Sequence, residues 1–542
     1  MVLTSDGSRL RGARALSPTA FAPATSAPAT SAPATSAPTT SAPTALAPAP
    51  LAARTRCRAL LVDLNNFSTF PTLAIGILVA ALRRAGHDAR LLVPLAYDVP
   101  ASERERAEWV GDHLMRRIHL STVPLFRVPR DLLRSGYYAW KRRPHPTVLN
   151  EVEKALADKP DIIMLSAYLQ HHATVVRIGE LAKKAGVPML LGGPAFNSPG
   201  VAEAWQSVPG LAAIYGGEAD LIAPDLVETV IAGGDLLRFD GIVLPDGRRS
   251  RPAPPFRELD ESPVPDFSDF PWDRYRVRIV PMMTGRGCQW GKCTFCSDVV
   301  SVSGRTYRTR SLQSVLHEMR EQAQRHATSN FLFLDLKLNS NPSLFRGIAE
   351  HAQDAVPGSQ WIGSVHVDLR ADNGLSRQDL RAAAAGGMRR VSFGLESGSQ
   401  RLLDLMKKGS SVEANSQFIR QAHEAGISVR CTMFKGYLGE TPDDLEQTAR
   451  FLEQHSPYLD RVRFNDFSII ENTPVWNEVH GATAIPELRP LERQPKLGKM
   501  RYINVETQSA AYRRAKARAL NAVFSINRRR LRPEAQMFDG MM

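Results

Sequence analysis

The chain has 542 residues, 43% of them hydrophobic and 23% charged, which fits a globular protein of two or three domains, each with a full core. Its net charge of +13 comes from Lys and Arg scattered along the chain except near the C-terminus; it reads as a general attraction for anionic ligands, and nucleic acid is not an expected partner. Five cysteines, three of them clustered, argue against a disulfide framework and for a reducing compartment.

The first residues carry arginines but no apolar signal core, so a cytoplasmic location is expected. Residues 22–46 repeat a five-residue Ala/Pro/Thr/Ser unit, which predicts a disordered, partly extended tail over 1–55. Order is predicted from residue 56. Arg58 to Leu64 reads as a buried parallel strand, and the apolar run from Leu73 to Leu82 reads as a buried helix, being too short to span a bilayer. A strand at Ala89 to Pro94 is followed by a less regular, charged stretch to about residue 145. The pattern then resumes with helix Thr147 to Ala157, strand Asp161 to Ser166, helix Ala173 to Ala185 and strand Pro188 to Leu191. That last strand runs into Gly192 and Gly193, and Ala213 to Tyr215 runs into Gly216, Gly217 and Glu218. Alternation of this kind, with glycines at strand ends, predicts a doubly wound parallel sheet over 56–240 that binds its ligand at the carboxyl ends of the strands.

Residues 241–272, rich in Pro, Asp and Arg, are expected to be a semi-rigid connector. A second alternating series follows over 273–480, with strands at Arg278 to Met283, Asn330 to Leu336, Trp361 to Asp368, Arg390 to Leu395, Ser428 to Phe434 and about Val462 to Ile470. Six strands and five intervening helices predict a partial (β/α) barrel with its chemistry at the carboxyl ends of the strands. Residues 481–542 read as a mostly helical basic extension in which 513–532 present a solvated face.

The first barrel strand delivers Cys288, Cys293 and Cys296 in a loop interleaved with glycines. Three thiols so close together suit a soft metal centre, yet a zinc site or a fully ligated cluster wants a fourth ligand, and Cys57 and Cys431 lie in distant apolar strands. The loop is one ligand short, which in a four-iron cluster leaves one iron open.

This loop, the aromatic Phe295 before its last thiol and the barrel behind it resemble the radical SAM superfamily over about 275–475, with Cys-x4-Cys-x2-Cys in place of the usual Cys-x3-Cys-x2-Cys. The segment 57–235 resembles the cobalamin-binding domain that precedes many radical SAM enzymes. It departs from the cobalamin motif Asp-x-His-x-x-Gly, since Leu64, Asn65, Asn66, Phe67 and Ser68 follow Asp63 and no histidine is available as a lower cobalt ligand. The resemblance implies a [4Fe-4S] cluster on the three cysteines, with S-adenosylmethionine (SAM) on the open iron. It further implies SAM contacts at Phe295, Asp335, Arg370, Glu396, Ser397, Gly436 and Glu440, and cobalamin contacts at Asn65, Ser166, Gly192, Gly193, Gly216, Gly217 and Glu218. The expected activity is C-methylation of an unactivated carbon in a small-molecule or peptide intermediate, through a 5′-deoxyadenosyl radical and methylcobalamin. A flavodoxin or ferredoxin is expected as electron donor, and no membrane span is expected. Alternatives are a non-methylating cobalamin enzyme that contracts or closes a ring, a radical SAM enzyme whose sheet no longer binds cobalamin, and a non-enzymatic iron-sulfur carrier or RNA-binding protein.

Overall fold

A computed structural model describes residues 56–101, 106–297, 307–368, 375–480 and 488–541. The predicted tail of residues 1–55 and Arg370 lie outside the described residues.

The first sheet contains β1 (Arg58–Asp63), β2 (Asp88–Leu92), β3 (Ile162–Ser166), β4 (Met189–Gly192), β5 (Leu211–Tyr215) and β6 (Ile242–Val243), in the order β2-β1-β3-β4-β5-β6. All neighbours pair in parallel except β6, which is antiparallel to β5. Alternate residues feed two cores, as a strand period of two requires. Leu60, Val62, Ile163 and Leu165 pack in one cluster; Ala59, Leu61, Ile162 and Met164 pack in another that continues into Val280, Phe331 and Val391. One hydrophobic core therefore runs from the first sheet into the second.

The connector adds to that core. Phe267 and Phe270 are buried, and the Phe267 ring lies against Gly76 in the helix Leu73–Arg84, where a Cβ would come within 2.3 Å of a ring carbon. Arg83 donates to Asp266 at 2.7 Å and to Asp269 at 2.5 Å, so the proline-rich segment is strapped along this helix.

The second sheet opens with β7 (Val280–Met282). The short antiparallel pair β8 (Gly285–Arg286) and β9 (Arg308–Thr309) follows, and then β10 (Asn330–Phe333), β11 (Gln360–Val365), β12 (Met388–Glu396), β13 (Ser428–Lys435) and β14 (Arg461–Asp466). The parallel order β14-β13-β12-β11-β10-β7, with helices Leu312–His326, Pro342–Ala355, Arg377–Ala385, Val412–Glu424 and Pro442–His455 between successive strands, is the open barrel arc expected from the sequence.

Four segments differ from expectation. The connector expected over 241–272 gives its first residues to the sheet as β6, antiparallel to β5. The stretch before residue 145 contains two helices, Val110–His119 and Pro124–Lys141. The strand expected to end at Ile470 stops at Asp466, and β15 (Ile469–Ile470) joins β16 (Leu488–Gln494) and β17 (Lys499–Asn504) in an antiparallel sheet ordered β15-β17-β16, so 488–504 is a hairpin, not helix. The helix Ala510–Asn527 is no solvated tail: Tyr512, Leu520, Val523 and Ile526 are buried, and the Asn527 amide exchanges hydrogen bonds with the backbone of Val462 at 2.8 and 2.9 Å. Its basic side faces solvent only in part, where Arg518 pairs with Glu446 and Glu453.

Candidate active site

The site begins where β7 gives way to β8. Asp335, just after β10, accepts hydrogen bonds from the Thr284 amide at 3.0 Å, the Thr284 hydroxyl at 2.7 Å and the Gly285 amide at 2.8 Å. Burial pushes this carboxyl up to about 6 against the pull of those donors. Asp335 thereby fixes the chain entering the cysteine loop, and its carboxylate is spent on its own backbone.

Cys288, Cys293 and Cys296 are half-buried and form no disulfide among the described residues. The loop is held from several sides. The Thr294 amide donates to the Met406 carbonyl at 3.0 Å, the Thr294 and Tyr437 hydroxyls share a hydrogen bond of 2.6 Å, and the Trp290 indole donates to the Lys407 carbonyl at 2.8 Å. Trp290 lies flush on Gly409, where φ is +68° and a Cβ would come within 2.1 Å of the ring. Gly291, at φ +53°, takes the left-handed turn that accommodates the additional residue between Cys288 and Cys293.

Beside the thiols stands Lys408, buried, its Nζ 2.9 Å from Glu396 Oε1 and 5.7 Å from the centre of the Phe295 ring. Burial alone would lower the pKa of this ammonium. Glu396 foremost, then Cys293 and Cys296, outweigh burial and raise it above the ordinary lysine range. Burial is also the chief cause that raises the Cys293 thiol, with Lys408 opposing. A fixed cation among three thiols suits a negatively charged thiolate cluster. Glu396 itself sits at φ +58° where β12 ends, a backbone state that is costly for a side-chain-bearing residue. Gly394 makes room for the pair: a Cβ there would lie 2.2 Å from the Glu396 carboxylate and 2.7 Å from Lys408 Nζ.

The remaining residues predicted to contact SAM gather around the same strand ends. Phe295 meets Phe434 edge-on, with centroids 5.1 Å apart, in a small apolar cluster with Tyr437 and Leu402. Ser397 shares a hydrogen bond of 3.0 Å with Thr448 and accepts one from the Ser399 amide. Glu440 is buried, accepts from the Gly436 amide and from the Tyr512 hydroxyl at 2.7 Å, and is pushed up by burial to about 7. The Tyr502 hydroxyl donates to the Gly436 carbonyl at 2.6 Å. Sequence reasoning missed Trp290, Lys408, Tyr502, Tyr512 and His366. Of these only the Lys407-Lys408-Gly409 run carries a local signal. The His366 ring, 6.1 Å from Trp290, is buried with Nε2 unpartnered, and the backbone N–H and C=O of His366 are both clamped by the Asn339 amide at 3.0 Å.

At the carboxyl ends of the first sheet lie Asn65, Ser166, Gly192, Gly193, Gly216 and Gly217. The side-chain oxygens of Asn65 and Asn66 are buried without a partner, a cost that a polar ligand would remove. A Cβ on Gly192 would meet only the Tyr215 carbonyl, at 3.5 Å. Gly193 and Gly216 answer a different need: a Cβ would fall 2.5 Å from the Ala167 carbonyl and 2.2 Å from the Phe196 carbonyl, so these glycines admit the chain's own loops. Gly217 similarly admits the Tyr215 ring and Ala253.

Glu218 joins the two sheets. Its carboxylate receives Arg308 at 2.6 Å, Arg286 at 3.0 Å and the Phe256 amide at 2.8 Å, while Asp220 receives Arg286 at 2.6 and 3.0 Å and the Ser262 hydroxyl at 2.5 Å. Arg286 and Arg308 are the paired residues of β8 and β9, the strands that flank the cysteine loop. This lock brings the ends of β5 and β7 to the same region.

Among the described residues no three His, Cys, Asp or Glu side chains converge on a single metal ion. A cluster makes no such demand, because its thiolates stand on separate irons. Three thiols beside a buried cation fit a cluster with one open iron, and the two buried asparagine oxygens, on a loop whose sequence has no histidine, fit a corrin held without a protein ligand from that loop.

Residues 282–452 match the family model of the Radical SAM superfamily, and the chain carries the radical SAM domain of an enzyme. Together with the first sheet it has the two-part fold of the cobalamin-dependent radical SAM enzymes. The radical SAM methyltransferase TsrM from Kitasatospora setae, solved with tryptophan substrate and a SAM analog bound, superposes with a TM-score of 0.62 at 17% identity over 86% of this chain and 88% of its own. A second structure of TsrM holds cobalamin and a [4Fe-4S] cluster. An uncharacterized methyltransferase from Pyrococcus horikoshii is 25% identical over 58% of this chain and 69% of its own length. The anaerobic magnesium-protoporphyrin IX monomethyl ester cyclase of Rubrivivax gelatinosus is 27% identical over 56% of each chain.

Proposed function

We propose that this enzyme uses cobalamin, a [4Fe-4S] cluster and SAM to methylate an unactivated carbon of a small-molecule or peptide substrate. The observation that carries the reading is the lock of Glu218 and Asp220 on Arg286 and Arg308, which ties the end of the first sheet to the strands flanking the cysteine loop. When bound, the cluster and SAM would supply a 5′-deoxyadenosyl radical and the corrin a transferable methyl group.

Cys288, Cys293 and Cys296 would hold three irons, and Lys408 would offset their charge while steering Glu396 toward the SAM side of the loop. Phe295 and Phe434 would keep water from the sulfonium. Ser397 and the Gly436 backbone would bound the nucleoside; Asp335 and Glu440, whose carboxylates are engaged within the chain, would position the segments that touch it. Asn65, Asn66, Ser166 and Gly192 would border the corrin. A flavodoxin or ferredoxin would deliver the electron.

Mass spectrometry of an anaerobic reaction with methyl-deuterated SAM and candidate substrates tests this. The expected result is a product bearing the deuterated methyl, with S-adenosylhomocysteine and 5′-deoxyadenosine formed alongside it. The likeness to the cyclase supports a second reading, radical ring closure without methyl transfer; deoxyadenosine with no labelled product would favour it. Reconstituted protein without corrin absorbance would overturn the cobalamin assignment.

A further inference from the structure

Residues 106–143 lie in the connection from β2 to β3, and the side chains they leave in solvent are largely apolar. Fifteen large hydrophobic side chains are exposed among the described residues, and nine of them fall between positions 109 and 140. Helical spacing sorts them into stripes: Leu114 with Ile118 on the first helix, and Leu133, Tyr137 and Trp140 on the second. Leu133 is 76% exposed and Trp140 65%. A surface helix ordinarily turns such a stripe toward the core. The segment is attached by other residues than these: the Glu108 amide donates to the Asn527 carbonyl at 3.0 Å, Lys516 Nζ donates to the Leu120 carbonyl at 2.7 Å, His113 stacks on Phe524 at 4.7 Å and Leu120 is buried in the core.

Charge narrows the choice of what covers this face. The segment has nine Arg and Lys against three Asp and Glu. Each of the three acids is already paired, Asp112 with Arg106 at 2.8 Å, Glu108 with Arg116, and Asp131 with Arg130 at 2.7 Å. Arg117, Lys141, Arg142 and Arg143 remain exposed beside the apolar stripes. A second copy of the chain would bring these cations against their equals. An anionic bilayer offers both halves of the match, acyl chains for the stripe and lipid headgroups for the surplus cations, with Tyr137 and Trp140 of the kind that settles at a membrane interface.

We propose that these two helices form a docking face that seats the enzyme on anionic membrane surfaces. Among the described residues no helix is long and apolar enough to cross a membrane, so the contact is peripheral. Because the turn after the first helix is held by Lys516, on the helix packed against β14, docking would set one flank of the barrel beside the bilayer.

The test is co-sedimentation of the full-length, reconstituted enzyme with vesicles of pure phosphatidylcholine and of a phosphatidylcholine and phosphatidylglycerol mixture. The expected partitioning into the anionic vesicles is stronger by about tenfold or more, from two or more cations at the surface, and falls as salt is raised. Arg142→Glu with Arg143→Glu should erase the preference, and Leu133→Asp with Trp140→Asp should abolish binding. Both pairs lie on exposed positions, and deoxyadenosine formation in solution should persist as the check that each variant is folded. Equal or absent binding to the two vesicle types overturns the proposal. So does a wild-type dimer, seen by light scattering, that Leu133→Asp converts to monomer.

Discussion

Replacing Asp220 by Asn perturbs the lock without changing its shape. The aspartate receives two hydrogen bonds from Arg286 and one from Ser262, and only 6% of its side chain is exposed. Desolvation would raise its pKa, but the hydrogen bonds and charge of Arg286 outweigh it and hold the carboxyl below its ordinary value. An asparagine keeps one acceptor, turns an amide toward the guanidinium and removes the charge. Charge-assisted bonds contribute about 1.5–3 kcal/mol each, and breaking a partly buried pair costs about 3–5 kcal/mol. Arg286 keeps Glu218 at 3.0 Å, so the lower figure applies. A loss of about 3 kcal/mol is about a hundredfold in the opening equilibrium of β8 and β9. Hydrogen exchange across residues 285–297 should accelerate by that order, and iron retained per chain should fall. Arg286→Gln in the Asp220→Asn background should add much less than it does alone. Unchanged exchange and unchanged iron content in Asp220→Asn would refute the lock.

Gly409→Ala should lower iron content through displacement of Trp290, because the new Cβ meets the indole and the left-handed backbone costs about 1–2 kcal/mol more; iron content equal to wild type would contradict the packing. Lys408→Met should make the cluster's reduction potential more negative and weaken SAM binding, read by spectroelectrochemistry and titration, and an unmoved potential would remove the charge argument. Glu440 has a folded pKa of about 7 against an ordinary 4.5, so folding favours its neutral form. Its contribution to stability is complete below pH 4.5 and is lost as pH rises to about 7. The melting temperature of wild type should therefore decline across that window relative to Glu440→Gln, whereas parallel pH profiles would contradict the burial effect.

The parts of the fold visible in the sequence are those whose information is local. Each βα unit announces itself by a short apolar run and an amphipathic helix, and three cysteines within nine residues need no partner elsewhere to be noticed. Gly192 and Gly216 stood out for the same reason, although the need for glycine at Gly216 is the approach of the Phe196 carbonyl, which no local pattern encodes. What stayed hidden depends on pairs far apart in the chain. Glu440 meets Tyr512 across 72 positions, and Trp290 finds its carbonyl on Lys407 across 117. The hairpin at 488–504 interrupts its alternation with Pro490 and a register shift, so its period of two is broken where it would have been read. The helices at 110–141 do carry helically spaced apolar residues, but Pro124, Pro129 and the many arginines interrupt the pattern, so the segment reads as irregular.

The central claim is that Cys288, Cys293 and Cys296 hold a cluster with one iron left for SAM. Electron paramagnetic resonance of the anaerobically reconstituted, reduced protein tests it most directly, with and without SAM, in wild type and in Cys288→Ala, Cys293→Ala and Cys296→Ala. The account predicts a [4Fe-4S] signal in wild type that SAM shifts, and its loss in every cysteine variant. A variant that keeps the cluster, or a wild-type signal indifferent to SAM, would contradict it.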